Sequence, residues 1–179
     1  DSTAESVRKS LSEYQFESFL LGTRLDHSVI EREDKVRSRY KLKGGEGVKQ
    51  QLTRLVGKKV SAVIDKPVNF RKPDVEAIVN FNNGEVDVRS KPIFGFGRYV
   101  KLRRQLPQKL FGGVGLGENS RSVESIIAKS LLTVSKGTDV NFAWIGGEDA
   151  RSLVLGEGRP FISQIINPKL RKIGSKRVL

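Results

Sequence analysis

"KPDVEAIVNFNNGEVDVRSKPIFGFG", residues 72–97, is the stretch on which the reading of the fold turns. Val75, Ala77, Val79 and Phe81 recur at every second position, and successive strand residues point to opposite faces, so this spacing predicts a strand with one buried side. Asn83-Gly84 follows, then Val86 and Val88 resume the alternation. That pattern predicts a hairpin closed by a type I′ turn. Ile93 to Phe96 is a third apolar run and predicts a third strand.

Upstream, "FESFLLGTRL" (residues 16–25) predicts a strand bounded by Gly22. Asp26 offers a helix N-cap for "HSVIEREDKVRSRY", where Val29, Glu33, Val36 and Tyr40 recur at helical steps and predict a surface helix. In "KGGEGVKQQLTRLVGKKV" a second stripe runs through Val48, Leu52, Leu55 and Val56, with Lys49, Arg54, Lys58 and Lys59 on its solvent side. Residues 15–97 therefore read as strand, helix, helix and three strands, an α+β unit.

Downstream the composition changes. "RYVKLRRQLPQKLFGGVGLGENSR", residues 98–121, is basic and then glycine-rich, which predicts a linker or mobile loop. Its Gly113, Gly115 and Gly117 lack the spacing of a dinucleotide fingerprint. Residues 122–137 form an amphipathic helical pattern behind Ser122, and "DVNFAWIGG" and "FISQIIN" read as strands. Between them lie Glu148 and Asp149, directly after Gly146-Gly147, then a second predicted turn, Gly-Glu-Gly-Arg-Pro.

Composition narrows the chemistry. Apolar residues make up 37% of the 179, enough to fill a core. Lys+Arg total 33 against 20 for Asp+Glu, a net charge of +13, which favours a polyanionic partner, RNA or DNA first. No apolar run is long enough for a bilayer and the first residues lack a signal-peptide core, so the expected location is cytoplasmic and no membrane partner is expected. The chain does not begin with Met, which leads to the expectation that its original start lies elsewhere. Without cysteine, and with one histidine, thiolate chemistry, disulfides and multi-histidine metal sites are excluded. His27 sits in a helix-capping region, and no Gly-x-Ser-x-Gly elbow accompanies it.

A Gly-Gly-Glu-Asp segment is ordinarily a turn. Its place at the C-terminal end of an apolar strand, on a basic chain with no other catalytic set, makes Asp149 the candidate reactive acid. Phe142 and Trp144 precede it; the first reading of both is core, and the alternative for one of them is a stacking surface for a base.

These residues resemble a known family. "GGEDARSLVLGEGRPFISQIINPKLRK" is similar to the active-site stretch of the archaeal and eukaryotic tRNA pseudouridine synthases of the Pus-ten type, which carry Gly-Arg-Glu-Asp, then Leu-Gly, a Gly-Arg-Pro-Phe turn and a strand ending in Asn-Pro. "FESFLLGTRL", "LKGGEGVKQQL" and "KPDVEAIVNFNNGEVDVRSKPIFGFGRYVKLRRQLPQ" resemble the THUMP-like RNA-binding region of the same family, in the same order, so the likeness spans about residues 15–170. It implies a THUMP-like region over 1–97, a basic and Gly-rich linker over 98–121, and the first part of a mixed-sheet pseudouridine synthase core over 122–179.

The resemblance also implies an activity: isomerisation of a uridine in the T-arm of tRNA, with Asp149 as nucleophile or base and neither metal nor cofactor. Arg98, Tyr99, Lys101, Arg103 and Arg104 fall in the family's basic segment, where phosphate contact is expected; Arg151 and Arg159 complete the expected substrate-binding set. The sequence departs from the pattern at Gly147, where the family has arginine, at Leu153, and in lacking the cysteine pairs of many relatives. The remaining half of the catalytic sheet is expected from further polypeptide, a second chain included. The alternatives are a non-catalytic RNA-binding module and a small ribosome-associated protein.

Overall fold

The computed structural model describes residues 2–109 and 121–173. The chain divides into two compact units, Asp1–Ser90 and Lys91–Leu179, both mixing helices and strands. It is an α+β protein.

The first unit contains α1 (Ser2–Leu11), β1 (Phe19–Arg24), α2 (His27–Arg39), α3 (Val48–Val63), β2 (Val75–Asn80) and β3 (Val86–Ser90). The sheet order is β1-β2-β3; β1 runs parallel to β2, and β2 antiparallel to β3. A parallel pair needs a crossover, and α2 with α3 provides it. The period of two does what it predicts: Phe19 and Leu21 of β1 and Val75, Ala77 and Val79 of β2 are buried. Their cover is Ala4, Val7 and Leu11 of α1 with Val60 and Ile64 at the end of α3. The stripe in α1 is spaced three and four residues apart, within a segment too charged to stand out as apolar. Asp26 caps α2 as expected, its carboxylate accepting from Ser28 N at 2.8 Å, and α2 buries no residue at all.

The hairpin exists, but its turn is not type I′. Asn80 N–H donates to Glu85 O at 2.8 Å and Gly84 N–H to Asn80 O at 2.8 Å, closing a loop of residues 81–84. Phe81 N–H is held by Arg24 O at 2.9 Å, which keeps the chain on β1 past the point where a tight turn would leave it. Gly84 has a positive φ of 75°, whereas Asn83 is not among the positive-φ residues; its side chain instead accepts from Glu85 N–H at 3.1 Å. A type I′ turn needs both central residues in that region.

The second unit contains β4 (Ile93–Lys101), α4 (Val123–Ser135), β5 (Asp139–Trp144) and β6 (Val154–Ile166), with antiparallel sheet order β4-β6-β5. The run at Ile93 pairs along β6 rather than with the hairpin, so the boundary between units follows Ser90 instead of residue 97. Residues 98–101 are strand, not linker. Leu106 N–H donates to Ala150 O, Val123 N–H to Pro107 O and Glu124 N–H to Gln108 O, which ties this stretch down as well. The glycines at 113, 115 and 117 lie outside the described residues.

The expected turn Gly-Glu-Gly-Arg-Pro lies inside β6. Tyr99 pairs with Arg159 and Lys101 with Val154, so residues 155–158 form an excursion opposite Val100 alone. Gly158 makes it possible: its φ is 73°, and a Cβ there would stand 2.6 Å from Tyr99 O. One face of the sheet carries Tyr99, Phe142, Trp144 and Phe161, packed with Val123 and Ile127 of α4. Phe142 and Trp144, two apart on β5, share that face and stack at 5.2 Å, which makes both core. On β4, Phe94 and Phe96 are 72% and 69% exposed.

Phe19 is fully buried, so Phe19→Ala should lower unfolding stability by about 3–5 kcal/mol. Val36→Ala on the uncovered α2 should change it by less than about 0.5 kcal/mol. Urea unfolding followed by circular dichroism measures both.

Candidate active site

β5 delivers the chain to Ile145, and β6 takes it up again at Val154. The intervening loop is built around Glu148, whose side chain is fully buried. Neither of its carboxylate oxygens has a well-formed hydrogen bond; charge holds it instead, with Lys101 Nζ 3.0 Å from Oε1 and Arg159 Nε 3.7 Å from Oε2. A buried carboxylate is tolerated only with such compensation.

Lys101 comes from the end of β4 and is 2% exposed. Its ammonium donates to Leu106 O at 2.9 Å and Asp149 O at 3.2 Å, and its charge lies against Glu148. Arg159, from β6, donates through Nη1 to Gly147 O at 2.9 Å. Gln108 donates to Gly146 O at 3.2 Å and to the Tyr99 hydroxyl at 2.9 Å. With Leu106 N–H on Ala150 O, four of the five carbonyls from 146 to 150 are gripped from different parts of the unit. Gly146 is required where it stands, having a φ of 84° and a Cβ position 2.9 Å from Arg159 Nη1.

Asp149 itself is exposed. Its Oδ1 accepts from Arg151 N–H at 2.6 Å, an Asx turn, and Ser152 N–H donates to its carbonyl at 3.1 Å. Ordinary turn chemistry and an outward-held acid are therefore both present: one carboxylate oxygen shapes the turn, and the side chain stays in solvent on a backbone fixed from beneath.

The residues expected to touch phosphate divide into two groups. Arg98, Arg103, Arg104 and Arg151 are exposed, Arg98 donating to Glu157 O at 2.7 Å and Gly158 O at 3.2 Å across the β6 excursion. Tyr99 and Lys101 are buried, which corrects their expected role: alternation along β4 turns both inward, where they support the loop. Arg159 faces Glu148 and Gly147 O, so it too is part of that support. Sequence reading passed over Glu148 and Gln108 as site residues. Glu148 stands in the Gly-x-Glu-Asp motif, but burial is decided by partners 47 residues before and 11 after it, which no local pattern reveals.

Burial pushes the Tyr99 phenol above its ordinary value; the Gln108 amide opposes this, and the negative charge of Glu148 adds to the rise.

Two family models divide the chain between them. Residues 3–80 match the Pus10 THUMP domain, archaeal, and residues 94–178 match Pus10, C-terminal. The chain belongs to the Pus10 family. It is similar to the tRNA pseudouridine synthase Pus10 of Nitrosopumilus maritimus, 38% identical over 93% of this chain and 47% of that protein. To that of Thermofilum pendens it is 32% identical over 91% of this chain and 37% of the relative, and to that of Methanothermobacter marburgensis 32% identical over 96% and 46%. The chain thus spans less than half the length of these Pus10 relatives. The Pus10 C-terminal match covers Lys101, Glu148, Asp149 and Arg159 together.

Removing one partner of the buried pair, by Lys101→Met or Glu148→Ala, should cost about 3–5 kcal/mol in denaturant unfolding, because the other charge is left uncompensated. The double variant Lys101→Met with Glu148→Gln should recover a large part of that loss. Tyr99 holds its proton more tightly folded than unfolded, so its contribution is complete below the ordinary tyrosine range near about pH 10 and is lost as pH rises through the folded value. Tyr99→Phe should accordingly flatten the alkaline fall in the denaturation midpoint.

Proposed function

We propose that this chain provides the aspartate-bearing part of a tRNA pseudouridine synthase acting on a uridine of the T-arm. The reading rests on one observation above others: an exposed carboxylate, Asp149, on a loop whose backbone is clamped by the buried Glu148–Lys101–Arg159 cluster. Catalysis by a carboxylate depends on aim, and aim depends on a support that does not move.

In this reading a uridine is everted from the RNA and its sugar is presented to Asp149. The aspartate attacks or deprotonates the sugar as the bond between C1′ and N1 breaks. The freed uracil turns, C5 bonds to C1′ as Asp149 leaves the sugar or returns the proton it took from it, the proton once on C5 passes to water, and N1 takes up a proton from water. Substrate and product are isomers, so no oxidant, reductant or group donor is required. The exposed Arg98, Arg103, Arg104 and Arg151 are the phosphate contacts, and the net charge of +13 supports a tRNA partner. Further polypeptide, supplied in the same or a second chain, closes over the base; the relatives' greater length supports this.

A second reading, a tRNA-binding module without turnover, is favoured by Gly147, which is exposed, has open space around its Cβ direction, and stands where the family carries arginine.

Tritium release from uridine-labelled tRNA should separate the two. Under the enzyme reading Asp149→Ala loses release by at least about 1,000-fold, as for loss of a covalent nucleophile, while tRNA affinity stays within about twofold. Absence of release from the unaltered chain, even with the relatives' remaining segment added, supports the binding module.

A further inference from the structure

Leu106, Pro107 and Gln108 form a short strap between the Asp149 loop and the start of α4. Leu106 N–H donates to Ala150 O at 3.2 Å, Pro107 O accepts from Val123 N–H at 3.0 Å, and Gln108 O accepts from Glu124 N–H at 3.0 Å. Val123 and Glu124 open α4, and the first N–H groups of a helix have no partner inside it. The strap supplies an acceptor to each, so the helix start fixes it in place. Gln105, which leads into it, has a φ of 61°, in the left-handed region that residues other than glycine seldom occupy.

From this strap Gln108 reaches back to the loop. It is 6% exposed. Both hydrogens of its amide nitrogen are used, one on the Tyr99 hydroxyl at 2.9 Å and one on Gly146 O at 3.2 Å. Gly146 and Ala150 lie on either side of Asp149, so the Gln108 amide and Leu106 N–H hold the loop before and after the acid. Lys101 and Arg159 grip the carbonyls of Asp149 and Gly147, but both also answer to the charge of Glu148, which the loop itself carries. Gln108 is a neutral contact that refers the loop to α4.

The peptide it holds is the one that most needs holding. It lies between two glycines, Gly146 at a φ of 84° and Gly147 with open space around its Cβ direction, so side-chain packing does little to fix its orientation. That orientation sets the path of residues 147–149. We propose that Gln108 is a positioning residue for Asp149: by holding the peptide between Gly146 and Gly147, it fixes the direction in which the Asp149 carboxylate leaves the loop. This role in catalysis rests on Asp149 being the reactive acid.

Arg151 N–H donates to Asp149 Oδ1 at 2.6 Å, so hydrogen exchange at that amide follows the carboxylate and needs no turnover. In the 179-residue chain Gln108→Leu, which keeps the bulk and removes the donors, should speed Arg151 exchange by about 3- to 10-fold, while amides of the β5–β6 ladder keep the parent's protection. Gln108→Glu is the conservative variant. Protonated, the introduced carboxyl donates to Gly146 O; ionised, it has no proton to give, and burial raises its pKa. Arg151 protection in this variant should match the parent's at mildly acidic pH and be lost as pH rises through that raised value, a dependence that a packing role would not produce. In tritium release from tRNA, with the relatives' remaining segment supplied, Gln108→Leu should lower kcat by about 10- to 100-fold and leave KM within about twofold. Unchanged Arg151 exchange in Gln108→Leu, exchange that quickens equally throughout the unit in both variants, or a change in KM with kcat unaltered would each overturn the proposal. A parent chain that releases no tritium defeats the isomerase reading alone, and Arg151 exchange still decides whether Gln108 sets the carboxylate's direction.

Discussion

The Glu148 carboxylate, sealed between Lys101 and Arg159, is the constraint on which the second unit is organised. Its partners come from β4 and β6, and the loop that carries it leaves β5, so one charge cluster gathers all three strands of the sheet at one end. A buried ion pair adds little net stability over well-packed apolar groups. What it supplies here is position, since the same cations that neutralise Glu148 also hold the carbonyls of Gly147 and Asp149. Tyr99 and Gln108 extend the arrangement into the aromatic core, so the loop and the packing of Trp144 and Phe161 are one connected structure.

The two units solve different problems with similar parts. The first buries a largely apolar face of a partly parallel sheet, with Thr23 and Ser90 its buried polar residues, under α1 and α3 and leaves α2 outside as a solvated crossover. The second mixes aromatic packing with buried charge and devotes the end of its sheet to one loop. A neutral core tolerates single exchanges of side chains of equal volume, whereas a core built on charge is strongly destabilised when one partner of a pair is removed alone.

Much of this was legible in the sequence where the determinants were local. The alternation at Val75, Ala77 and Val79, the Asp26 cap and the Ser122 start of α4 each depend on neighbours within four residues, and the elements stand where those patterns place them. The family likeness was legible for a related reason: its motifs are contiguous and ordered. What could not be read depended on distant contacts. Asn83-Gly84 has the composition of a tight turn, yet a bond from Phe81 to Arg24 decides the loop. The Gly-Glu-Gly-Arg-Pro run has the composition of a turn, yet pairing with β4 makes it an interruption within a long strand. Tyr99 and Lys101 sit in a basic run, and only the register of β4 shows that they face inward.

The order β4-β6-β5 has a consequence for how the second unit comes into being. Among the described residues its central strand is the last in chain order, so β4 and β5, with no ladder between them, pair with neither each other nor another described strand until β6 is present. Pairings this distant along the chain form slowly. Until then Phe94 and Phe96 ride on an unpaired strand as the ribosome works onward, which leaves the nascent chain prone to self-association until β6 pairs with β4.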